Sequence, residues 1–192
     1  TLAPGGTMKR IDCFKAIAGS LTDELIITNL ANTANEWRAV REHDGNLYFV
    51  GMGMVTPYAL GLSMALPNRK IIAFDGDGGI LFDLSIFGTI AQTAPSNLCV
   101  VILDNEGYIS TGKGKHTASL SSGVIDIAGV ARSSGIKNVY EVKNVDEFEI
   151  AVRGGVEDET GPTVIIAKIN NEQAFVGTSL MDGKENKECG KV

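Results

Sequence analysis

Short runs rich in β-branched residues alternate with helical patterns along the whole chain, and that alternation limits the folds open to it. Leu25 to Asn29, Leu47 to Val50, Ile71 to Phe74, Leu98 to Asp104, Asn138 to Val142 and Thr163 to Ile169 read as strands. Helical patterns lie between them at about Lys9 to Leu21, Thr33 to Arg41, Thr56 to Leu66, Ile80 to Thr93, Ile125 to Ser134 and Val145 to Val156. A strand that is apolar on both faces and flanked by helices belongs to a parallel sheet covered on both sides. The predicted fold class is therefore α/β: a doubly wound, mostly parallel six-stranded sheet with helices on both faces. In such a sheet ligands bind beyond the carboxyl ends of the strands. Residues 8–170 carry the alternation and read as one domain. Thr1 to Thr7 read as linker or expression-derived residues, and 171–192 as a polar C-terminal tail.

Charge narrows the partners. Lys and Arg number 17 against 23 Asp and Glu, a net charge of -6 with no basic patch, which makes nucleic acid and anionic membrane surfaces poor partners. An anion bound here needs local neutralisation. No apolar run has the length of a membrane span and no secretory pattern opens the chain, so a cytoplasmic protein is expected. Cys13, Cys99 and Cys189 are far apart and lack metal or cluster spacing; Cys99, inside an apolar strand, reads as a reduced core thiol.

The chemistry concentrates at two strand ends. Asp75-Gly76-Asp77-Gly78-Gly79 follows the run KIIAF, and Asp104-Asn105-Glu106-Gly107-Tyr108 follows LCVVIL. If those strands are parallel neighbours, about 4.8 Å apart, Asp77 and Asn105 can reach one ion. Oxygen donors of this kind suit Mg²⁺, which keeps a few protein ligands and completes its octahedron with phosphate oxygens. Gly78 and Gly79 allow close backbone approach and open a helix whose N–H groups face an anion. A carboxylate beside a phosphate repels it unless a cation bridges them. Competing motifs fail on detail. A calcium loop begun at Asp75 would need glycine where Ile80 stands and glutamate where Ile86 stands. No Walker Gly-Lys-Ser/Thr occurs, and Gly51-Met52-Gly53 lacks the third glycine of a dinucleotide site.

The segment GDGGILFDLSIFGTIAQTAPSNLCVVILDNEGY, Gly76 to Tyr108, resembles the diphosphate-binding domain of thiamine diphosphate enzymes, whose fingerprint is Gly-Asp-Gly, some 25 or more residues, then Asn with a glycine two positions on. The resemblance implies Asp77 and Asn105 as side-chain Mg²⁺ ligands and the Gly107 carbonyl as a third. Asp104 stands where the family often has a second asparagine. Gly76, Gly78 and Gly79 are implied to border the diphosphate, and Tyr108 and Ile109 to wall its pocket. Val50-Gly51-Met52-Gly53 resembles the family's G-x-M-G segment, whose hydrophobe props the bent cofactor and whose carbonyls meet the aminopyrimidine. Val50 replaces the leading glycine, and Met52 also reads as an ordinary core methionine. Within the family the chain is most similar to the small subunits of two-subunit 2-oxo acid decarboxylases, of the sulfopyruvate and phosphonopyruvate decarboxylase group. That likeness runs from about Lys9 to Ile169 and includes RIDCFKAI, NLANTANEW and YISTGKGKHT.

The resemblance implies a thiamine diphosphate-dependent carboxy-lyase acting on a small anionic 2-oxo acid. A glutamate that activates the cofactor has no candidate here, so a pyrimidine-binding-domain subunit in a hetero-oligomer is expected to supply it. An acyloin or acetolactate-type carboligase, or a 2-oxo acid oxidoreductase subunit, uses the same anchor; a scaffold or regulatory subunit is the non-enzyme alternative. The glycine- and serine-rich stretch from Ser110 to Gly123 reads equally as a flap or a solvated loop; as a flap, Lys113, Lys115 and His116 meet the substrate's anionic tail and His116 moves a proton. Asn29, Asn32 and Thr33 read equally as diphosphate donors or helix caps, with Ala31 where relatives often have glycine. His43 reads as a turn residue, and Trp37, Tyr58 and Asp83 as packing or surface residues.

Overall fold

The computed structural model describes residues 7–108, 117–172 and 174. Among these residues eight strands and seven helices follow one another as α1 (Arg10–Ala18), β1 (Leu25–Asn29), α2 (Asn32–Val40), β2 (Leu47–Val50), α3 (Val55–Ala65), β3 (Ile71–Gly76), α4 (Asp77–Ile80), α5 (Ile86–Thr93), β4 (Leu98–Asp104), β5 (Gly107–Tyr108), β6 (Thr117–Ala118), α6 (Ile127–Ser133), β7 (Asn138–Val142), α7 (Val145–Glu157) and β8 (Thr163–Lys168). Six strands form one sheet in the order β2-β1-β3-β4-β8-β7, parallel throughout.

The period-2 alternation of the strands divides the core in two. On β4, Leu98, Val100 and Ile102 face one way, packing with α3, α5 and α6 through Ala59, Phe87 and Ala128. Cys99, Val101 and Leu103 face the other way, packing with α1, α2 and α7 through Phe14, Trp37 and Phe148. Each fully buried aliphatic side chain contributes roughly 1.5 to 3 kcal/mol, which is why the six apolar residues of β4, Leu98 to Leu103, are buried. Phe14, Trp37 and Phe74 form an aromatic cluster with ring centroids 4.9 to 5.2 Å apart, which makes Trp37 the packing residue its sequence position implies.

The chain runs from β1 outward to β2, then returns across β1 to β3. The α2 and α3 crossovers lie on opposite faces, which makes the tips of β1 and β3 the switch point where such sheets open a crevice. Two local features differ from the sequence reading. The single helix expected from Ile80 to Thr93 is two, because Asp83 accepts from the Ser85 hydroxyl at 2.5 Å and the chain turns tightly there before α5 begins. An antiparallel hairpin, β5 with β6, folds back beside the β4 tip. Among the described residues no helix is long and apolar enough to cross a membrane.

Candidate active site

β3 and β4 pair in parallel with Gly76 opposite Leu103, so Asp77 and Asp104 leave adjacent strand tips together. Beyond them the chain takes a left-handed step at Glu106, with φ 59°. This step brings the Gly107 carbonyl back to Asn105. The inward terminus of the Asn105 amide lies 2.9 Å from Asp77 Oδ1 and 2.9 Å from the Gly107 carbonyl oxygen. With nitrogen inward it donates to both; with oxygen inward three oxygens converge with no proton between them, and a cation is needed to hold them. Neighbouring oxygens around an octahedral Mg²⁺ at about 2.1 Å are about 3 Å apart, so the spacing suits that ion. Burial pushes the Asp77 carboxyl up to about 6; Asp104 adds to the rise, while hydrogen bonds from Ser119 and Ser121 oppose it.

Close packing explains the glycines. A side chain at Gly78 would strike the Tyr108 ring and come within 3.3 Å of Met52 Cε, so this one glycine seats the G-x-M-G segment, the Gly-Asp-Gly turn and the Asn-Glu-Gly loop against one another. One at Gly79 would overlap Asp75 Oδ1 and lie 3.0 Å from Asn29 Nδ2. Gly53 has φ 77°, in the left-handed region glycine favours. Val50 is buried in the core, Gly51 is exposed, and Met52 is half-buried outside both core clusters.

Asp75, fully buried, ties these segments together. Its carboxylate accepts from Thr56 Oγ1 at 2.9 Å, Asn29 Nδ2 at 3.2 Å and the Gly76 N–H at 2.8 Å. Burial raises its pKa to about 6, moderated by Thr56. Asn29 also accepts from the Leu30 N–H at 2.6 Å, so its polar atoms brace the turn. Asn32 and Thr33 open α2, and Ala31 holds φ 57° where glycine would sit without strain. His43 accepts the Gly45 N–H in a turn, Tyr58 is exposed on α3, and Asp83 bonds Ser85, all outside the cluster.

Several participants carry no motif. Lys168, opposite Asp104 in the sheet, lies 2.6 Å from Asp104 Oδ2 and 3.3 Å from Glu106 Oε1. Burial works against its ammonium, yet those two carboxylates raise its pKa above the ordinary lysine value. Ser119 and Ser121 reach Asp77 from beyond β6, and a pair of serines two apart in a serine-rich stretch was the only available signal. The sequence-predicted Ile109, Lys113, Lys115 and His116 lie outside the described residues.

A parallel sheet with oxygen donors gathered beyond the adjacent β3 and β4 tips, beside its switch point, suits an α/β protein that binds a cofactor diphosphate through a divalent cation. Residues 29–167 match the family described as thiamine pyrophosphate enzyme, C-terminal TPP binding domain. The chain belongs to this family, and its cofactor is thiamine diphosphate with Mg²⁺ as the accompanying metal. It is 36% identical over 146 residues to sulfopyruvate decarboxylase subunit beta of Methanothermobacter thermautotrophicus, covering 76% of each chain. It is 33% identical over 141 residues to phosphonopyruvate decarboxylase of Streptomyces hygroscopicus, covering 73% of this chain and 34% of that one. Among solved structures, the Rhodococcus jostii RHA1 thiamine diphosphate-dependent 4-hydroxybenzoylformate decarboxylase shares the fold with TM-score 0.70 and 20% identity, over 91% of this chain and 35% of that one.

Proposed function

We propose that this chain is the Mg²⁺- and thiamine diphosphate-binding subunit of a two-subunit 2-oxo acid decarboxylase of the sulfopyruvate decarboxylase kind. Residues 8–170 form its cofactor domain, it acts in the cytoplasm, and a pyrimidine-binding-domain subunit completes the active site. The observation that carries this reading is the meeting of Asp77 Oδ1, the Asn105 amide and the Gly107 carbonyl at 2.9 Å. Similarity to a protein named as a beta subunit, along 76% of its length, supports the division between two chains.

On this reading Asp77, Asn105 and Gly107 would hold Mg²⁺ through their oxygens. Gly76, Gly78 and Gly79 admit the diphosphate, with Tyr108 and Ile109 as its wall. Val50, Gly51 and Gly53 would offer backbone to the aminopyrimidine, and Met52, braced against Gly78, would support the cofactor from below. Thiamine diphosphate, when bound, supplies the electron sink that lets carbon dioxide leave a 2-oxo acid. Burial of Asp77 leaves its carboxylate little access to bulk water. Lys113 and Lys115 take the substrate's sulfonate or phosphonate, and His116 returns the proton that replaces the lost carboxylate. Glu106, inside the metal loop, is paired with Lys168, and the glutamate that activates the cofactor is expected on the partner.

The test is reconstitution. With thiamine diphosphate, Mg²⁺ and sulfopyruvate, the chain alone should release no carbon dioxide, and adding a pyrimidine-domain subunit from the same genome should start turnover. Turnover by the chain alone refutes the split site. Assembly without turnover of sulfopyruvate or phosphonopyruvate refutes the decarboxylase reading, and an acyloin product would mark a carboligase instead.

A further inference from the structure

Behind the metal face of Asp77 a second, motif-free layer is built from the far side of the hairpin. Ser119 and Ser121, both buried, follow β6; the Ser119 N–H donates to the Glu106 carbonyl at 3.1 Å, which holds this segment against the metal loop. The Ser119 hydroxyl donates to Asp77 Oδ2, and Ser121 Oγ lies 3.1 Å from the same oxygen, 2.6 Å from Ser119 Oγ and 2.8 Å from Asp104 Oδ1. Asp104 is anchored in turn by the Glu106 N–H at 3.0 Å and by Lys168 at 2.6 Å. A carboxylate has two oxygens and one torsion that sets them. Fixing Oδ2 outward therefore fixes Oδ1 toward Asn105 and Gly107.

We infer that Ser119 and Ser121 are positioning residues for the divalent cation, with Asp104 and Lys168 as the anchor that holds Ser121. The inference rests on the function proposed above and deepens its metal site. It also gives Asp104 a task. The lysine opposite it in the sheet offsets its charge, so two carboxylates sit at neighbouring strand tips without driving each other apart. Groups that orient metal ligands commonly alter metal affinity by 10- to 100-fold when removed.

The experiment measures Mn²⁺ affinity by electron paramagnetic resonance on the full chain with its partner subunit and saturating thiamine diphosphate. The S119A/S121A double variant should bind Mn²⁺ at least about 10-fold more weakly. S119T and S121T, which keep the hydroxyls, should restore affinity to within a few-fold. K168M should weaken it less than the double alanine variant, because it acts only through Asp104. Wild-type affinity in the double alanine variant overturns the inference while leaving the proposed function intact. If the double alanine variant does not fold, S119A and S121A are measured singly: Mn²⁺ binding weakened more than about 3-fold in a folded single variant supports the inference, and wild-type affinity in both overturns it. Failure of the wild-type complex to bind Mn²⁺ at all overturns the proposed function, and this inference with it.

Discussion

Substituting Gly79 by alanine tests how the site is packed, because one added methyl group meets the carboxylate that joins three segments. The new Cβ would overlap Asp75 Oδ1, lie 3.0 Å from Asn29 Nδ2 and 3.2 Å from Asp75 Cγ. Its neighbours are rigid: Asp75 is fully buried, with both oxygens engaged by Thr56, Asn29 and the Gly76 N–H. Overpacking of this kind costs about 1 to 3 kcal/mol. Displacing Asn29 removes a hydrogen bond to a buried charge, about 1.5 to 3 kcal/mol more. The sum, about 2.5 to 6 kcal/mol, lowers the unfolding midpoint by roughly 5 to 24 °C at the 2 to 4 °C per kcal/mol usual for this chain length. Gly88→Ala is the control, since Gly88 lies exposed in α5 with nothing within 4 Å of an added Cβ. There alanine should stabilise by about 0.5 to 1 kcal/mol through helix propensity. Urea and thermal unfolding of both variants measure the difference. If G79A falls within about 0.5 kcal/mol of G88A, the tight seat described for Asp75 is absent.

Ionisation of Asp77 sets a pH dependence whose sign follows from burial. Its folded pKa of about 6 lies above the unfolded value of about 3.9, so its contribution to metal-free stability is present below about pH 4 and lost as pH rises through about 6. D77N cannot ionise and should gain stability relative to wild type between pH 4 and 7 without metal; a flat difference across that window contradicts the shift. Burial raises the Cys13 and Cys99 thiols to about 12, so at pH 8 both should resist a thiol reagent until urea unfolds the chain. Reaction of either in the native state would contradict their placement. Ala31→Gly should stabilise the chain by about 1 kcal/mol, since Ala31 holds φ 57° and ψ -121°; a loss of stability in calorimetry would mean the turn is not strained.

Much of this architecture could be read from the amino acids alone. The inner strands β3, β4 and β8 announce themselves because each is apolar on both faces, the edge strands β2 and β7 by their short β-branched or aromatic runs between helical patterns, and Asp77 and Asn105 because their clusters end consecutive strands that pair directly. The break between α4 and α5 was hidden, since Asp83 and Ser85 turn the chain through local hydrogen bonds inside an otherwise helical pattern. The hairpin was hidden too: two-residue strands such as Gly107–Tyr108 and Thr117–Ala118 leave no periodicity. Asp75 was in view but mute, its role depending on Thr56 and Asn29, which arrive from other elements. Ser119, Ser121 and Lys168 are ordinary residues for a loop and a strand end, and only the fold brings them to Asp77 and Asp104.

Isothermal titration of thiamine diphosphate into the chain with its partner, with and without Mg²⁺ and in wild type, D77A and N105A, tests the central claim most directly. Removal of Mg²⁺ should abolish binding, and each variant should weaken it at least about 100-fold, since a lost metal ligand also leaves the diphosphate facing its acidic neighbours. Binding of equal strength without Mg²⁺, or unchanged by D77A, would contradict the account.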